Sequence, residues 1–367
     1  MKKITLVLKD SMEHLPPVIS LCKHLNDLGF ILSVICDSIS DALKEDFAAR
    51  GIRLTLLPRT AKIPTKLGTI YRWLQFRKNA WKAIRENPAD IYWIGSADTA
   101  LALGNGLLKL PYIFHVHELY DTVPIYLKRL GPYMRNAKKV FVPEEIRAHI
   151  FRAWYQLKET PVVLPNKPYG HPRKRNLPIT DPAAAEAFEK IPKGAKTLFY
   201  QGWIDKDRDV SWIVDAVKAF NGKVVLAVQG KVLDQEYYQK LRASNCCFFI
   251  PFVPAPKHLE LTSHMDIGLL TYDHINQNNE FCAPNKIWEY TGFGLPILAN
   301  DVCSLKQTVA QYDIGFALNL GKASKEQIQE KIQFLLDHQE DYSKKTAEFF
   351  DSINNGEIIK KILCDIF

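Results

Sequence analysis

The stretch NNEFCAPNKIWEYTGFGLPILAND, residues 278–301, opens a helix in an unfavourable way, and that opening decides how the whole chain is read. The helix-forming run begins at Pro284, and proline suits a first helical position because its missing N–H would be an orphan there anyway. Ala283 in front of it carries no oxygen that could cap the free N–H groups. Lys286 stands in the first turn, where the helix dipole disfavours a cation. An anion in front of the turn would reverse both penalties, because it accepts from the N–H groups and pairs with Lys286. Asn285 and Lys286 share a helical face with Glu289, at i,i+4 and i,i+3. An ionised Glu289 one turn behind a phosphate can accept two hydrogen bonds from sugar hydroxyls. Gly292 and Gly294 then end the helix, and LPILAN reads as a buried strand. A surface helix with a Lys286–Glu289 pair is the plainer alternative.

Working outward, the chain alternates apolar strands with amphipathic helices. KITLVLK, ILSVIC, IRLTLL, DIYWIG, PYIFHV and KKVFV are the strands of the first half. KTLFYQG, KVVLAVQG, CCFFIPFV, DIGLLTY, PILAND and IGFALN are those of the second. Continuous apolar strands suit parallel sheets covered on both faces. Residues 165–194 interrupt the pattern with six of the 21 prolines and the basic run HPRKR, and read as a linker. Two doubly wound α/β domains facing across a cleft are expected. Their ranges are 1–164 and 195–345, with a C-terminal helical segment at 346–367 that returns toward the first domain. Such sheets bind ligands at the carboxyl ends of their strands.

With 47% apolar and 24% charged residues, the composition is that of an ordinary globular chain, and 367 residues suit two domains. No window approaches 18 consecutive apolar residues, so no transmembrane helix is expected. The apolar run in MKKITLVLKDSMEH is too short for a signal peptide and reads as a first strand. The seven cysteines form no CxxC pair and read as reduced core thiols of a cytoplasmic protein.

The loops after the first strand of each half, DSMEHLPP and WIDKDRD, lack GxGxxG, and no GxxxxGK[ST] occurs. That argues against a dinucleotide-dependent enzyme, and no cofactor is expected. DKDRD, residues 205–209, alternates carboxylates but lacks the glycine and distal glutamate of a calcium loop, so no metal is assigned to it. Asp209 reads instead as a charge near the start of the next helix. His117 and Glu118 close a buried strand at the sheet edge where ligands sit. His115 alternates with His117 and reads as a hydrogen-bonded core residue.

The segment APNKIWEYTGFGLPILAN resembles the donor site of GT-B glycosyltransferases, especially glycosyltransferase family 4 and its relatives. YQG at 200–202 with Arg208 resembles that family's pyrophosphate loop, VLPN at 163–166 its interdomain entry, and HVHEL at 115–119 its histidine-bearing loop. The resemblance implies a donor site of Gly202, Arg208, Asn285, Lys286 and Glu289, with Glu289 on the nucleotide ribose. It implies catalytic roles for His117, Glu118 and Glu280. Glu280 stands one residue earlier than the family's usual spacing. DSMEHLPP replaces a glycine-rich loop and offers Asp10, Glu13 and His14 to an acceptor.

Residues 59–85 hold eight basic residues and no acidic one, which equals the net charge of +8. Leu67, Ile70, Leu74, Trp81 and Ile84 mark one face of this helix, and Trp73 and Phe76 lie away from it. The segment reads as a contact for an anionic membrane surface, ahead of a merely solvated helix and of nucleic acid. The expectation is therefore a cytoplasmic glycosyltransferase, peripheral at the inner face of the membrane. It would use a nucleotide-diphosphate sugar donor and a saccharide or lipid-linked acceptor in surface polysaccharide assembly. A retaining outcome is implied by the resemblance. The alternatives are a sugar-nucleotide epimerase of the same fold and a non-catalytic binding protein for anionic sugars.

Overall fold

A computed structural model describes residues 1–58 and 65–367, with the side chains of Lys66 and Leu67 not described. The chain divides into two compact units, Met1–Tyr169 with Asn354–Phe367, and Gly170–Ile353.

The first unit runs β1 (Lys3–Ser11), α1 (Pro16–Asp27), β2 (Ile31–Ser38), α2 (Asp41–Ala49), β3 (Arg53–Leu56), α3 (Lys66–Glu86), β4 (Ile91–Ile94), α4 (Ala97–Leu103), β5 (Tyr112–His115), α5 (Pro124–Asn136), β6 (Lys139–Val142), α6 (Glu145–Tyr155) and β7 (Val162–Val163). Its sheet has the order β3-β2-β1-β4-β5-β6-β7, and every pair is parallel. The second unit runs α7 (Pro182–Glu189), β8 (Lys196–Gln201), α8 (Val214–Lys218), β9 (Val224–Gly230), α9 (Gln235–Arg242), β10 (Cys247–Pro251), α10 (His258–Thr262), β11 (Ile267–Leu270), α11 (Gln277–Glu280), α12 (Asn285–Thr291), β12 (Ile297–Asn300), α13 (Cys303–Tyr312), β13 (Gly315–Leu318), α14 (Lys325–Asp337) and α15 (Gln339–Asp351). Its sheet has the order β10-β9-β8-β11-β12-β13, also parallel throughout. α16 (Asn355–Ile366) belongs to the first unit.

Each sheet reverses strand order once, between β1 and β4 and between β8 and β11. Such a switch point opens a crevice at the carboxyl edge, because the flanking connections leave on opposite faces. The second sheet is apolar on both faces. Phe199, Ala227, Ile250 and Leu270 face one helical layer, and Leu198, Leu226, Val228 and Leu269 face the other. α12 buries Ile287, Trp288 and Tyr290, and the Trp288 ring stacks on Phe349 with centroids 4.6 Å apart. Full burial of side chains this size stabilises by about 1.5–3 kcal/mol each. Tyr290 approaches the sheet over Gly268, where a Cβ would lie 2.2 Å from the ring.

Several expectations shift. The stretch read as a linker is partly built into the second unit. It contains α7, and Leu177 N–H and Asn176 N–H donate to Ser263. Arg173 pairs with Asp351, and the Arg175 guanidinium donates to the carbonyl oxygens of Met265 and Phe293. The terminal helical segment breaks at residues 352–354, and Asn354 caps α16 through the Glu357 N–H. Ile359 and Leu363 of α16 enter the apolar cluster of α1. In α3 the buried side chains are Phe76, Ala80, Ala83 and Ile84, whereas Ile70, Tyr71 and Leu74 are exposed. Phe76 is therefore core, and Trp73 is half-buried under Lys9 Nζ, 4.6 Å from its ring centre. Residues 59–64 of the basic segment lie outside the described residues. Four cysteines are buried, but Cys303 and Cys364 are exposed and so are not core thiols. Among the described residues no helix is long and apolar enough to cross a membrane.

Candidate functional site

The geometry at the β8–β11 switch point follows from α12. Its first helical residue is Asn285, and Pro284 is the cap position rather than the first turn, with no side-chain cap bond. The uncapped start predicted from the sequence is present, moved by one residue. Lys286 lies against the backbone that follows β8, so that a Cβ on Gly202 would meet Lys286 Cε at 3.2 Å and the Tyr200 hydroxyl at 3.0 Å. Glycine at 202 makes that approach feasible.

Arg208 reaches the same place from the loop after β8. Its guanidinium lies over the Tyr272 ring at 4.3 Å and donates to the Asp207 carbonyl at 2.9 Å. Burial lowers the Lys286 pKa, and nearby Arg208 lowers it further against the opposing field of Glu289. Among the described residues the Lys286 amine has no hydrogen-bond or ion-pair partner. Lys286 thus lies between the field of a second cation, Arg208, and that of the Glu289 carboxylate, and an added anion would stabilise the two cations.

Glu289 is 8% exposed. Gln201 Nε2 donates to its Oε2 at 3.2 Å, and His258 Nε2 lies 3.3 Å from Oε1 at ion-pair distance. Burial by itself raises the Glu289 pKa, but His258, Lys286 and His171 outweigh it and the carboxyl titrates below its ordinary range. His171 Nε2 meets the Glu289 carbonyl oxygen at 3.1 Å, and burial takes its own pKa down to about 4. A neutral His171 therefore donates to that oxygen.

Glu280 is placed differently. Its Oε1 accepts from the Cys303 N–H at 2.9 Å, at the start of α13, and its Oε2 meets His274 Nδ1 at 2.8 Å. His274 Nε2 meets Asp301 at 2.9 Å, so the imidazole bridges two carboxylates. Asp301 and Glu280 raise the His274 pKa despite partial burial. The Glu280 carboxylate joins three segments of the second unit. In DKDRD, Asp205 caps the Asp207 N–H, and Asp209 accepts from the Ser211 N–H and the Tyr237 hydroxyl.

In the first unit, His115 ends β5 and His117 follows it. Both rings are buried, with centroids 4.1 Å apart. The His115 ring has no hydrogen-bond partner among the described residues, and the His117 ring has only the Gly95 backbone near it, short of a well-formed hydrogen bond. The expected hydrogen-bonded core His115 is thus core but not hydrogen-bonded. Burial takes the His117 pKa down to about 4, so it is neutral at physiological pH. Arg147 donates to the His117 carbonyl and lies 3.4 Å from the half-exposed Glu118 carboxylate. At the edge of β1, the Asp10 carboxylate meets His14 Nδ1 at 2.9 Å, and Glu13 accepts from the Ser11 hydroxyl and the Ser40 N–H.

The structure therefore brings together Gly202, Arg208, Lys286 and Glu289, with Asn285 on the same short helix. Glu280 stands in a separate cluster of the second unit. Gln201, His258 and Thr262 were not singled out from sequence. The signal available was the i,i+4 pair His258/Thr262 within HLELT and the side chain of the middle residue of YQG.

Residues 18–166 match the family model Glycosyltransferase Family 4. No curated protein matches the chain. Among solved structures, Anabaena HepE in complex with UDP and glucose is similar at 13% identity and a TM-score of 0.72, covering 100% of this chain and 99% of that one. WaaG, a glycosyltransferase involved in lipopolysaccharide biosynthesis, is similar at 17% identity and 0.66, covering 98% of each chain. Sucrose-phosphate synthase from Thermosynechococcus elongatus is similar at 14% and 0.73, covering 100% of this chain and 99% of that one. The fold is that of GT-B glycosyltransferases, two Rossmann-like units in one chain.

Proposed function

We propose that this GT-B chain, similar in its first unit to glycosyltransferase family 4, transfers a sugar from a nucleotide diphosphate to a saccharide acceptor. The observation that carries the reading is the pair of cations, Arg208 and Lys286, with the ionised Glu289 beside Lys286 at the switch point of the second sheet. In sugar transfer, negative charge develops on the departing diphosphate. Cations held in place before the reaction stabilise it without reorganising. Arg208 offers planar donors and Lys286 a compact charge. Asn285 and the free N–H groups of α12 add donors. Glu289, charged and acceptor-only, suits ribose hydroxyls. With two side-chain cations in this role, transfer is expected to persist in EDTA. A retaining outcome and a role in bacterial surface polysaccharide assembly are part of the proposal, and rest on the resemblance.

The acceptor is proposed to be lipid-linked and met at an anionic membrane surface through α3. Ile70, Tyr71 and Leu74 are exposed at its start, with Lys78, Lys82 and Arg85 exposed along the rest. Trp73 and Phe76 are replaced in this role, being half-buried and core. Each basic residue near such a surface contributes about 1 kcal/mol, within a Debye length. Arg77 is excluded from the test set, because it donates to the Ala102 carbonyl at 2.5 Å and holds α4. Vesicles with anionic lipid should pellet the protein at low salt, and Lys78→Ser/Lys82→Ser/Arg85→Ser should stay in the supernatant. Equal sedimentation of both proteins would count against the surface.

The reading is tested by thermal shift against nucleoside diphosphates and nucleotide sugars, followed by a transfer assay. Ligand at one hundred times its dissociation constant adds about 2.7 kcal/mol to the native state. Product formed without acceptor would give the epimerase reading, and binding without turnover the carrier reading. No shift with any nucleotide would remove the donor site.

A further inference from the structure

We infer that Thr262, acting through Gln201, sets the position of the Glu289 carboxylate and with it the affinity for a ribose-bearing diphosphate. The inference rests on the donor-site reading above. An ionised carboxylate only accepts hydrogen bonds, so the Gln201 amide must turn its nitrogen toward Glu289 Oε2, at 3.2 Å. Its oxygen then faces Thr262, whose hydroxyl donates to it at 3.2 Å. Rotating the amide by half a turn would set oxygen against carboxylate and nitrogen against hydroxyl. The carboxylate, which cannot donate, selects this amide orientation, and the Thr262 hydroxyl supplies the donor that the buried Gln201 oxygen then needs. The same hydroxyl has a second acceptor at 3.2 Å, the His258 carbonyl, within the same turn of α10. His258 Nε2 flanks the other carboxylate oxygen.

A neighbouring residue shows that such satisfaction is specific. Gln229 on β9 is the register partner of Gln201 and lies on the same sheet face. It is fully buried, yet neither atom of its amide has a hydrogen-bond partner among the described residues. A glutamine at this level of the sheet has no default partner, so the bonds of Gln201 come from Thr262 and Glu289 themselves. The Gln201 backbone is fixed as well, its N–H donating to the Tyr290 hydroxyl at 3.1 Å. Thr262 is fully buried, and its hydroxyl bonds run to Gln201 and His258; it is a positioning residue.

The test measures binding of ADP, CDP, GDP and UDP by titration calorimetry, then of the 2′,3′-dideoxy form of the one that binds best. Thr262→Val keeps the shape and removes the donor; Thr262→Ser keeps the donor. Thr262→Val should weaken the ribonucleotide about two- to tenfold, the range of one lost hydrogen bond. It should weaken the dideoxy form less than about twofold, and Thr262→Ser should bind like wild type. Gln201→Met should show the same ribose-selective loss, and serves if the valine variant does not fold. Wild-type binding retained in both Thr262→Val and Gln201→Met would overturn the inference and leave the donor site standing. Equal losses for both nucleotide forms would also overturn it, because the effect would then be general to the fold. A wild type that binds none of the four diphosphates would remove the donor reading and the inference together.

Discussion

Glu289 in the second unit and His117 in the first are almost equally buried, at 8% and 7% exposure, and both stand past the carboxyl ends of parallel strands. Their surroundings differ. Glu289 has a donor on Oε2, an imidazole beside Oε1 and a lysine one turn away on its own helix, and it stays charged. His117 stacks on another imidazole, has only the Gly95 backbone near its ring nitrogens, and stays neutral. Burial raises the energy of both charged forms; the partners decide which charge survives. One edge is wired in advance. The other leaves the His115 ring nitrogens without a partner among the described residues.

The largest effect should come from breaking the wired side. Glu289→Ala leaves His258 and Lys286 without the carboxylate beside them, and should cost about 3 kcal/mol of stability in denaturant titrations. A loss below about 1 kcal/mol would mean that the partners relax freely. Next, Lys286→Met removes a part-buried cation near Arg208. Diphosphate binding should weaken by about 1.5–3 kcal/mol, while the unfolding midpoint stays or rises. A lower midpoint with unchanged binding would make Lys286 a structural partner of Glu289.

The contrast with the unwired side predicts a smaller change. His115→Leu removes two ring nitrogens that make no hydrogen bond with the described residues, so stability should change by less than about 1 kcal/mol. A loss of 2 kcal/mol or more would show that ordered water satisfies the ring. The smallest effect is a pH dependence. The folded His274 pKa is raised by Asp301 and Glu280. Its stabilisation is therefore full below the ordinary histidine pKa and is lost as pH rises through the raised value. The ring is part-exposed and screened, so the difference between wild type and His274→Gln should be under about 1 kcal/mol. A difference that grows toward alkaline pH would reverse the assignment.

The alternation of apolar strands and amphipathic helices carries the two parallel sheets, because burial on both faces demands continuous apolar strands. The uncapped, lysine-bearing start of α12 was legible too, although its cap moved from Ala283 to Pro284. What was not legible depended on neighbours distant in sequence. The seam of α3 uses Ala80 and Ala83, which pattern reading passes over in favour of large residues such as Leu74. Close packing against α4 is what selects small side chains there, as the Trp81 and Arg77 donations to α4 carbonyls show. His115 alternates correctly for the core, but no local rule says whether a buried imidazole finds a partner. Glu280 lay in the right segment. Its two oxygens are occupied by residues 274 and 303, a pairing set by the way α11 meets α13.

The return of α16 to the first unit gives the two halves different relations to the order of synthesis. Residues 170–353 leave the ribosome as one uninterrupted run that contains every strand of their sheet. The first unit is begun before the second and finished after it. Ile359 and Leu363 belong to the same apolar cluster as Leu21 and Leu25, so the outer side of α1 stays uncovered until residues 354–367 emerge. The second-made sheet can thus be complete while the first-made one still presents an open apolar flank, the kind of surface that nascent-chain chaperones bind.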